Sequence, residues 1–235
     1  MSEGLAERFS AVEARISEAC VRHGRNRSDV TLIVVSKFHP AQLVLDLVSL
    51  GQRDFGENKD QEASAKSQEV AAALGQTTGP NWHFVGQLQS NKVKSVLRYA
   101  QSIHSLDRPS LLQALAKETA KEPGRAAIDV FIELNLTDDP NRGGIQPANL
   151  IDFASQVLEV PALNLRGVMG VASLEGREER DFAAIQRASE QLRTLAPEAS
   201  YISAGMSNDF EVALGFGATH LRVGTAITGP RSYLT

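Results

Sequence analysis

Thr31-Leu32-Ile33-Val34-Val35-Ser36-Lys37-Phe38-His39-Pro40 is the stretch that decides the fold. Its apolar, largely β-branched start predicts a buried strand over Leu32 to Ser36. Pro40 suits the first turn of a helix over Ala41 to Leu50, which Gly51 closes. Lys37 therefore stands where a strand ends. In α/β proteins that end faces the ligand, and a lysine held there beside apolar neighbours can lose its proton and form an imine with an aldehyde. The competing reading is a solvated lysine on a strand-to-helix loop.

The same alternation continues along the chain. Further strands are expected over Asp54 to Glu57, Trp82 to Gly86, Ser102 to Ser105, Asp129 to Asn135, Asn164 to Met169, Tyr201 to Ser203 and His220 to Val223. Helical patterns cover Gln61 to Leu74, Asn91 to Tyr99, Ser110 to Glu122, Ala148 to Val157, Glu179 to Leu195 and, briefly, Asp209 to Leu214. Asp107 with Pro109, and Pro147, mark helix starts. An amphipathic helix carrying Leu5, Phe9, Val12, Ile16 and Ala19 precedes them all. Eight strand-helix units without a biased linker imply one α/β domain over residues 1–235, a (β/α)8 TIM barrel with an extra N-terminal helix. A doubly wound open sheet is the alternative, because short apolar runs are ambiguous.

The 235 residues carry 24 basic and 28 acidic side chains, a net charge of −4, which leaves no electrostatic footprint for nucleic acid. No apolar run reaches membrane-spanning length and no secretory signal opens the chain, so neither membrane nor export is expected. The single cysteine, Cys20, falls on the apolar side of the leading helix and reads as a buried thiol in a reducing, cytoplasmic compartment. His39, His104 and His220 lack metal-site spacing, so no metal is expected.

Near the C-terminus, Ile202-Ser203-Ala204-Gly205-Met206-Ser207-Asn208-Asp209 contains a glycine turn with Ser207 as a helix-cap candidate. His220-Leu221-Arg222-Val223-Gly224-Thr225-Ala226-Ile227-Thr228-Gly229 is a strand ending in glycine and hydroxyl residues. Glycine lets backbone N–H groups approach an anion, so these turns suggest a phosphate cradle. Barrel closure sets strands one and eight side by side, which brings Lys37 to the cradle. Pyridoxal 5′-phosphate carries both an aldehyde and a phosphate and answers both signals.

These residues also carry a family signature. Val35-Ser36-Lys37, Phe55-Gly56-Glu57-Asn58, the run from Trp82 to Lys92, Gly205-Met206-Ser207 and Arg222-Val223-Gly224-Thr225-Ala226-Ile227 closely resemble the pyridoxal phosphate homeostasis proteins, relatives of the alanine racemase N-terminal domain. The resemblance spans about Arg8 to Arg231. It implies a cofactor-binding protein of vitamin B6 homeostasis, not an enzyme. Lys37 would be the imine lysine, Asn58 would line the pocket, and Ser203 and Ser207 with the backbone of Gly224 and Thr225 would hold the phosphate. Arg222 would face the pyridine nitrogen; a guanidinium only donates, so that nitrogen would stay unprotonated and the ring a weak electron sink. Pyridoxal phosphate-dependent apo-enzymes are the partners this implies, and a monomer the expected state.

The chain departs from the family at Arg142-Gly143, where lysine and serine are usual, which puts a second imine site there in doubt; Phe210 stands where methionine is commoner. The alternative function is an alanine-type racemase, which needs a base on each face of the reacting carbon. Lys37 serves one face, and Tyr99, Tyr201 and Tyr233 lie in no equivalent context for the other. A Schiff-base sugar aldolase is a weaker third reading. Glu57 reads either as a pocket acid or as a structural partner of a nearby cation, and His83 as a packed barrel layer or a cofactor contact. The loop Gln87 to Lys92 reads as a lid or a structural cap, and the run Glu175 to Asp181 as a solvated helix start.

Overall fold

Strand β1 (Thr31–Val35) pairs in parallel with β2 (Asp54–Glu57), and the order runs on through β3 (Asn81–Phe84), β4 (Ala100–Leu106), β5 (Ile128–Glu133), β6 (Leu163–Met169), β7 (Tyr201–Ser203) and β8 (His220–Val223). Strand β8 returns to β1 with Thr31 opposite His220 and Val34 opposite Val223. That pairing closes the expected barrel and sets aside the open sheet. The computed structural model describes residues 4–137, 139, 142–173 and 176–230. Glu175, Arg231 and Tyr233, named above, lie outside the described residues.

Helices α1 (Leu5–Arg22), α2 (Ala41–Ser49), α3 (Asp60–Leu74), α4 (Val93–Val96), α5 (Pro109–Thr119), α6 (Leu150–Leu158), α7 (Glu178–Leu195), α8 (Phe210–Gly215) and α9 (Thr225–Thr228) surround the strands. Most boundaries fall within two or three residues of expectation. The helix expected over Asn91 to Tyr99 is the main exception: a 3₁₀ turn at Ser90–Lys92 leads into the single turn of α4, because β4 begins at Ala100 and leaves room for no more. Pro40 is also displaced. Its ψ of 164° is extended, so it caps α2 and helical geometry begins at Ala41.

In a strand, residues two apart share a face. The outward residues, among them Leu32, Val34, Phe55, Phe84, Ile103, Ile132 and Leu221, join the helices' apolar faces in one continuous buried cluster. Burying each such side chain contributes roughly 1.5–3 kcal/mol. The inward set is different. His104 stacks on Phe131 at 4.3 Å between centroids, and His83, His220 and Tyr201 meet these rings edge-on or tilted. The barrel is thus plugged at mid-height by aromatic and imidazole rings, and its polar mouth sits above them. Helix α1 braces the C-terminal elements: Arg15 and Arg22 pair with Glu211 of α8 at 2.8 and 2.9 Å, and Arg8 donates to the Ile227 carbonyl of α9 at 2.8 Å.

Gly167 marks the tightest point of the wall. It sits at φ +155°, and a Cβ there would lie 1.8 Å from the Tyr201 carbonyl oxygen. Gly167→Ala must displace β7 from β6 and is expected to cost about 3 kcal/mol or more, read as a lowered urea midpoint. An unchanged midpoint would show that the wall yields freely.

Candidate functional site

The C-terminal ends of the strands converge on one mouth, and the turn after β1 is its most tightly determined part. Ser36 precedes Lys37 and donates its hydroxyl to Glu57 Oε1 at 2.8 Å. Lys66 of α3 reaches in from behind, donating to the Ser36 carbonyl at 2.8 Å, to Glu57 Oε1 at 2.6 Å and to Glu62 Oε1 at 2.9 Å. Glu62 also accepts the Phe38 N–H at 2.5 Å. Phe38 has φ +67° and is the one non-glycine residue in that region among the described residues. The strain of such a conformation costs on the order of 1–2 kcal/mol and persists only where surrounding bonds over-determine it. Lys66 and Glu57 are 4% and 1% exposed; burial pushes the Glu57 carboxyl up, and Lys66 opposes that shift. Glu57 is therefore the structural partner of a cation. Lys37 is half-buried, and among the described residues no hydrogen bond or ion pair engages its Nζ; the Phe38 ring lies 6.0 Å away.

Strand β8 supplies the second charge. Arg222 is 6% exposed and donates to the Ser203 carbonyl at 2.8 Å, the Ser203 hydroxyl at 2.6 Å and the Gly170 carbonyl at 2.9 Å. Burial lowers its pKa to about 10, with Glu133 and Asp209 opposing, so it stays protonated near neutrality. Ser203 is fully buried and its hydroxyl also meets His104 Nδ1 at 2.8 Å. That hydroxyl belongs to the interior. The resemblance implied Ser203 for the phosphate; its hydroxyl is here engaged by Arg222 and His104.

The remaining cradle residues do come together. Ser207 Oγ accepts the Gly224 N–H at 3.3 Å, which ties the turn after β7 to the turn after β8. Gly224 packs against β1: a Cβ on it would stand 3.5 Å from the Val35 carbonyl oxygen, two residues before Lys37. Thr225 opens α9 and is exposed. Ser207 is not the N-cap of α8: Asp209 holds that position, and its side chain accepts the Met206 N–H at 2.5 Å in the preceding turn rather than an N–H of the helix. Gly205, at φ +90°, allows the close approach, because a Cβ there would meet the Phe210 Cα and Ala213 Cβ at 2.9 Å.

On the other side of β1 from β8, Asn58 follows β2 with its backbone pressed against Gly86, where a Cβ would lie 2.3 Å from the Asn58 carbonyl oxygen. Its side-chain oxygen is buried and lacks a partner among the described residues, so it is an acceptor that a ligand donor would satisfy. The Gln87 to Lys92 loop is tied down by Arg108, which donates to the Leu88 carbonyl at 2.8 Å, and this supports the structural-cap reading. Gly143 fits the same crowded corner, since a Cβ on it would meet Asp107 Oδ2 at 3.1 Å and Gln87 Nε2 at 3.2 Å. Sequence reasoning missed three groups: Lys66, His104 and Glu133. Glu133 shares the inward register of β5 with Phe131 and Asp129, a two-residue spacing that is visible in the chain.

Residues 10–232 match the family described as alanine racemase, N-terminal domain. The pyridoxal phosphate homeostasis protein of Escherichia coli K12 is 37% identical over 232 residues, covering 97% of each chain. That of Mycobacterium tuberculosis H37Rv is 37% identical over 239 residues, covering 97% of this chain and 93% of the relative. Among solved structures, PipY of Synechococcus elongatus with pyridoxal phosphate bound superposes with a TM-score of 0.81 at 31% identity, over 96% of this chain and all (100%) of that one. Alanine racemase of Corynebacterium glutamicum shares the fold with a TM-score of 0.70 at 14% identity, over 99% of this chain but 62% of the racemase.

Burial, reinforced by Asp107 and opposed by Arg222, Arg142 and Arg108, pushes the Glu133 carboxyl up to about 7. A raised folded-state pKa contributes stability that is fully present below the unfolded value of 4.5 and is lost as pH rises through 7. Between pH 5 and 8 the protein should therefore lose about 1–3 kcal/mol that Glu133→Gln retains. Urea unfolding of both proteins at the two pH values measures the difference; parallel pH slopes would contradict it.

Proposed function

Because the chain belongs to the alanine racemase N-terminal domain family and to the pyridoxal phosphate homeostasis proteins, we propose that it binds pyridoxal 5′-phosphate reversibly through Lys37. Its role would be to buffer this reactive aldehyde or deliver it to pyridoxal phosphate-dependent apo-enzymes in the cytoplasm, as a monomer. The observation that carries this reading is the meeting, at one barrel mouth, of an unengaged lysine, a glycine-serine cradle and a fixed arginine. When bound, the cofactor supplies an aldehyde that condenses reversibly with a lysine amine.

Each residue then has a task. Lys37 presents its amine from a turn whose flanking residues are clamped, so ordering it costs little conformational entropy. Ser207, with the backbone of Gly224 and Thr225, donates to the phosphate, and Asn58 offers its unpartnered oxygen to the ring's polar substituent. Arg222 only donates, so a ring nitrogen facing it keeps its lone pair, and the electron withdrawal needed for α-proton removal is weakened. Ser203 serves as a partner of Arg222. The racemase alternative needs a second base. Glu133 is the mouth carboxyl whose pKa, about 7, suits that duty, which makes it the residue to test.

Lys37→Ala should abolish the visible absorption that pyridoxal phosphate acquires on the wild type; a persistent band would move the attachment to another lysine, with exposed Lys59, whose Nζ lies 5.4 Å from the same Phe38 ring, and Lys92 the candidates. Ser207→Ala should weaken pyridoxal phosphate binding about tenfold while leaving binding of pyridoxal, which lacks the phosphate, unchanged. Equal losses for both ligands would place the cradle elsewhere. With L-alanine the loaded protein should form negligible D-alanine. Rapid formation that disappears in Glu133→Gln would establish the racemase instead.

A further inference from the structure

A chain of hydrogen bonds runs the length of the barrel interior. From the mouth downward, Arg222 Nη1 donates to Ser203 Oγ at 2.6 Å, and Ser203 Oγ meets His104 Nδ1 at 2.8 Å. His104 Nε2 meets His83 Nδ1 at 3.0 Å, and His83 Nε2 meets Asp54 Oδ1 at 3.0 Å. Asp54 is 25% exposed and lines a polar cleft of about 670 Å³ at the opposite end of the barrel from Lys37. The links come from five different strands: β8, β7, β4, β3 and β2.

Donor counting gives the chain a direction. Ser203 Oγ already accepts from Arg222 and is fully buried, so its own proton goes to His104 Nδ1. A neutral His104 then carries its proton on Nε2 and donates to His83 Nδ1. His83 in turn carries its proton on Nε2 and donates to Asp54. A carboxylate only accepts, so the lower end imposes the same order as the upper. The surroundings agree. His104 faces His83 on β3 and His220 and Arg222 on β8, and stacks on Phe131 of β5. Burial, followed by those charges, holds it well below the usual imidazole range. Burial opposes the charge on Asp54, but the bonds from His83 and Asn81 outweigh it and hold the carboxyl below its ordinary value.

We propose that Asp54, His83, His104 and Ser203 form one polarised hydrogen-bond chain that positions the Arg222 guanidinium at the mouth, so that a change at Asp54 in the far cleft is felt there. Reversing the chain forces Ser203 to accept from both Arg222 and His104 and leaves its proton without a partner in a sealed site, so the forward order is strongly preferred. These are positioning residues, and their link to a ligand rests on the pyridoxal phosphate reading above.

The test has two arms that fail separately. In the first, the cofactor-free full chain is labelled with ¹⁵N-histidine and imidazole tautomers are read by two-bond ¹H–¹⁵N correlation. Both His83 and His104 are expected as Nε2–H tautomers. In Asp54→Ala, a change at a partly exposed residue, both should shift although Asp54 bonds His83 alone. An Nδ1–H His104 in the wild type, or a His104 signal unmoved while His83 moves, would overturn the chain. In the second arm pyridoxal phosphate is titrated into His104→Leu and His104→Asn. The leucine variant should bind about tenfold more weakly with a displaced visible band, and the asparagine variant, which keeps an acceptor near Ser203, should match the wild type. Identical bands and affinities for the leucine variant and the wild type would overturn the positioning role. A wild type that binds no pyridoxal phosphate would sink the proposed function and leave the tautomer result standing.

Discussion

The ion network around Lys66 is the constraint on which the mouth depends. An ammonium and a carboxylate taken out of water each cost several kcal/mol, and only close pairing with further hydrogen bonds offsets this. Lys66 meets that condition with three oxygens, one of them the carbonyl just before Lys37. Glu62 then passes the restraint to the other side of Lys37 through the Phe38 N–H. Lys37 thus sits between two anchored residues, on a backbone whose strain at Phe38 is held by charge. Removing Lys66 leaves the buried Glu57 charge stranded, a loss of about 3–5 kcal/mol, so the network is a structural demand of the turn rather than a surplus.

The arrangement explains how one mouth can favour holding an aldehyde over transforming it. The Lys37 amine is left without a hydrogen-bond or ion-pair partner among the described residues, while the arginine on the neighbouring strand β8 is held by three acceptors. A donor fixed in place stabilises a ring nitrogen's lone pair and opposes the electron flow that racemisation requires. The interior supports this division of labour. Burial is the main cause that holds two of its imidazoles, His104 and His220, below the usual range, His220 down to about 3, so these two add bonds to the site without adding charge.

Most of the architecture was legible in the chain because short apolar runs alternate with helical patterns eight times, and Asp54–Glu57, Tyr201–Ser203 and His220–Val223 match expectation residue for residue. The region from Asn91 to Tyr99 misled because a helical pattern carries no information about the space left before the next strand. In the site, Lys37, Asn58, Ser207, Arg222, Gly224 and Thr225 stand at or just beyond the C-terminal ends of strands β1, β2, β7 and β8. Ser203 shows what the chain alone leaves open: it closes β7, before the Gly205 turn, but which way the hydroxyl turns depends on Arg222 and His104, 19 and 99 residues away in the chain. Lys66 was hidden for a similar reason. On a helix face it reads as one more solvated cation, and only the approach of Ser36 and Glu57 shows that it is buried.

The account stands or falls on which lysine takes the cofactor. Borohydride reduction of the protein loaded with pyridoxal phosphate, followed by proteolysis and mass mapping, reads this directly. A single modified peptide with the label on Lys37, and none on Lys66 or Lys92, is the result the clamped turn predicts. A label distributed over exposed lysines, or absent from Lys37, would contradict it.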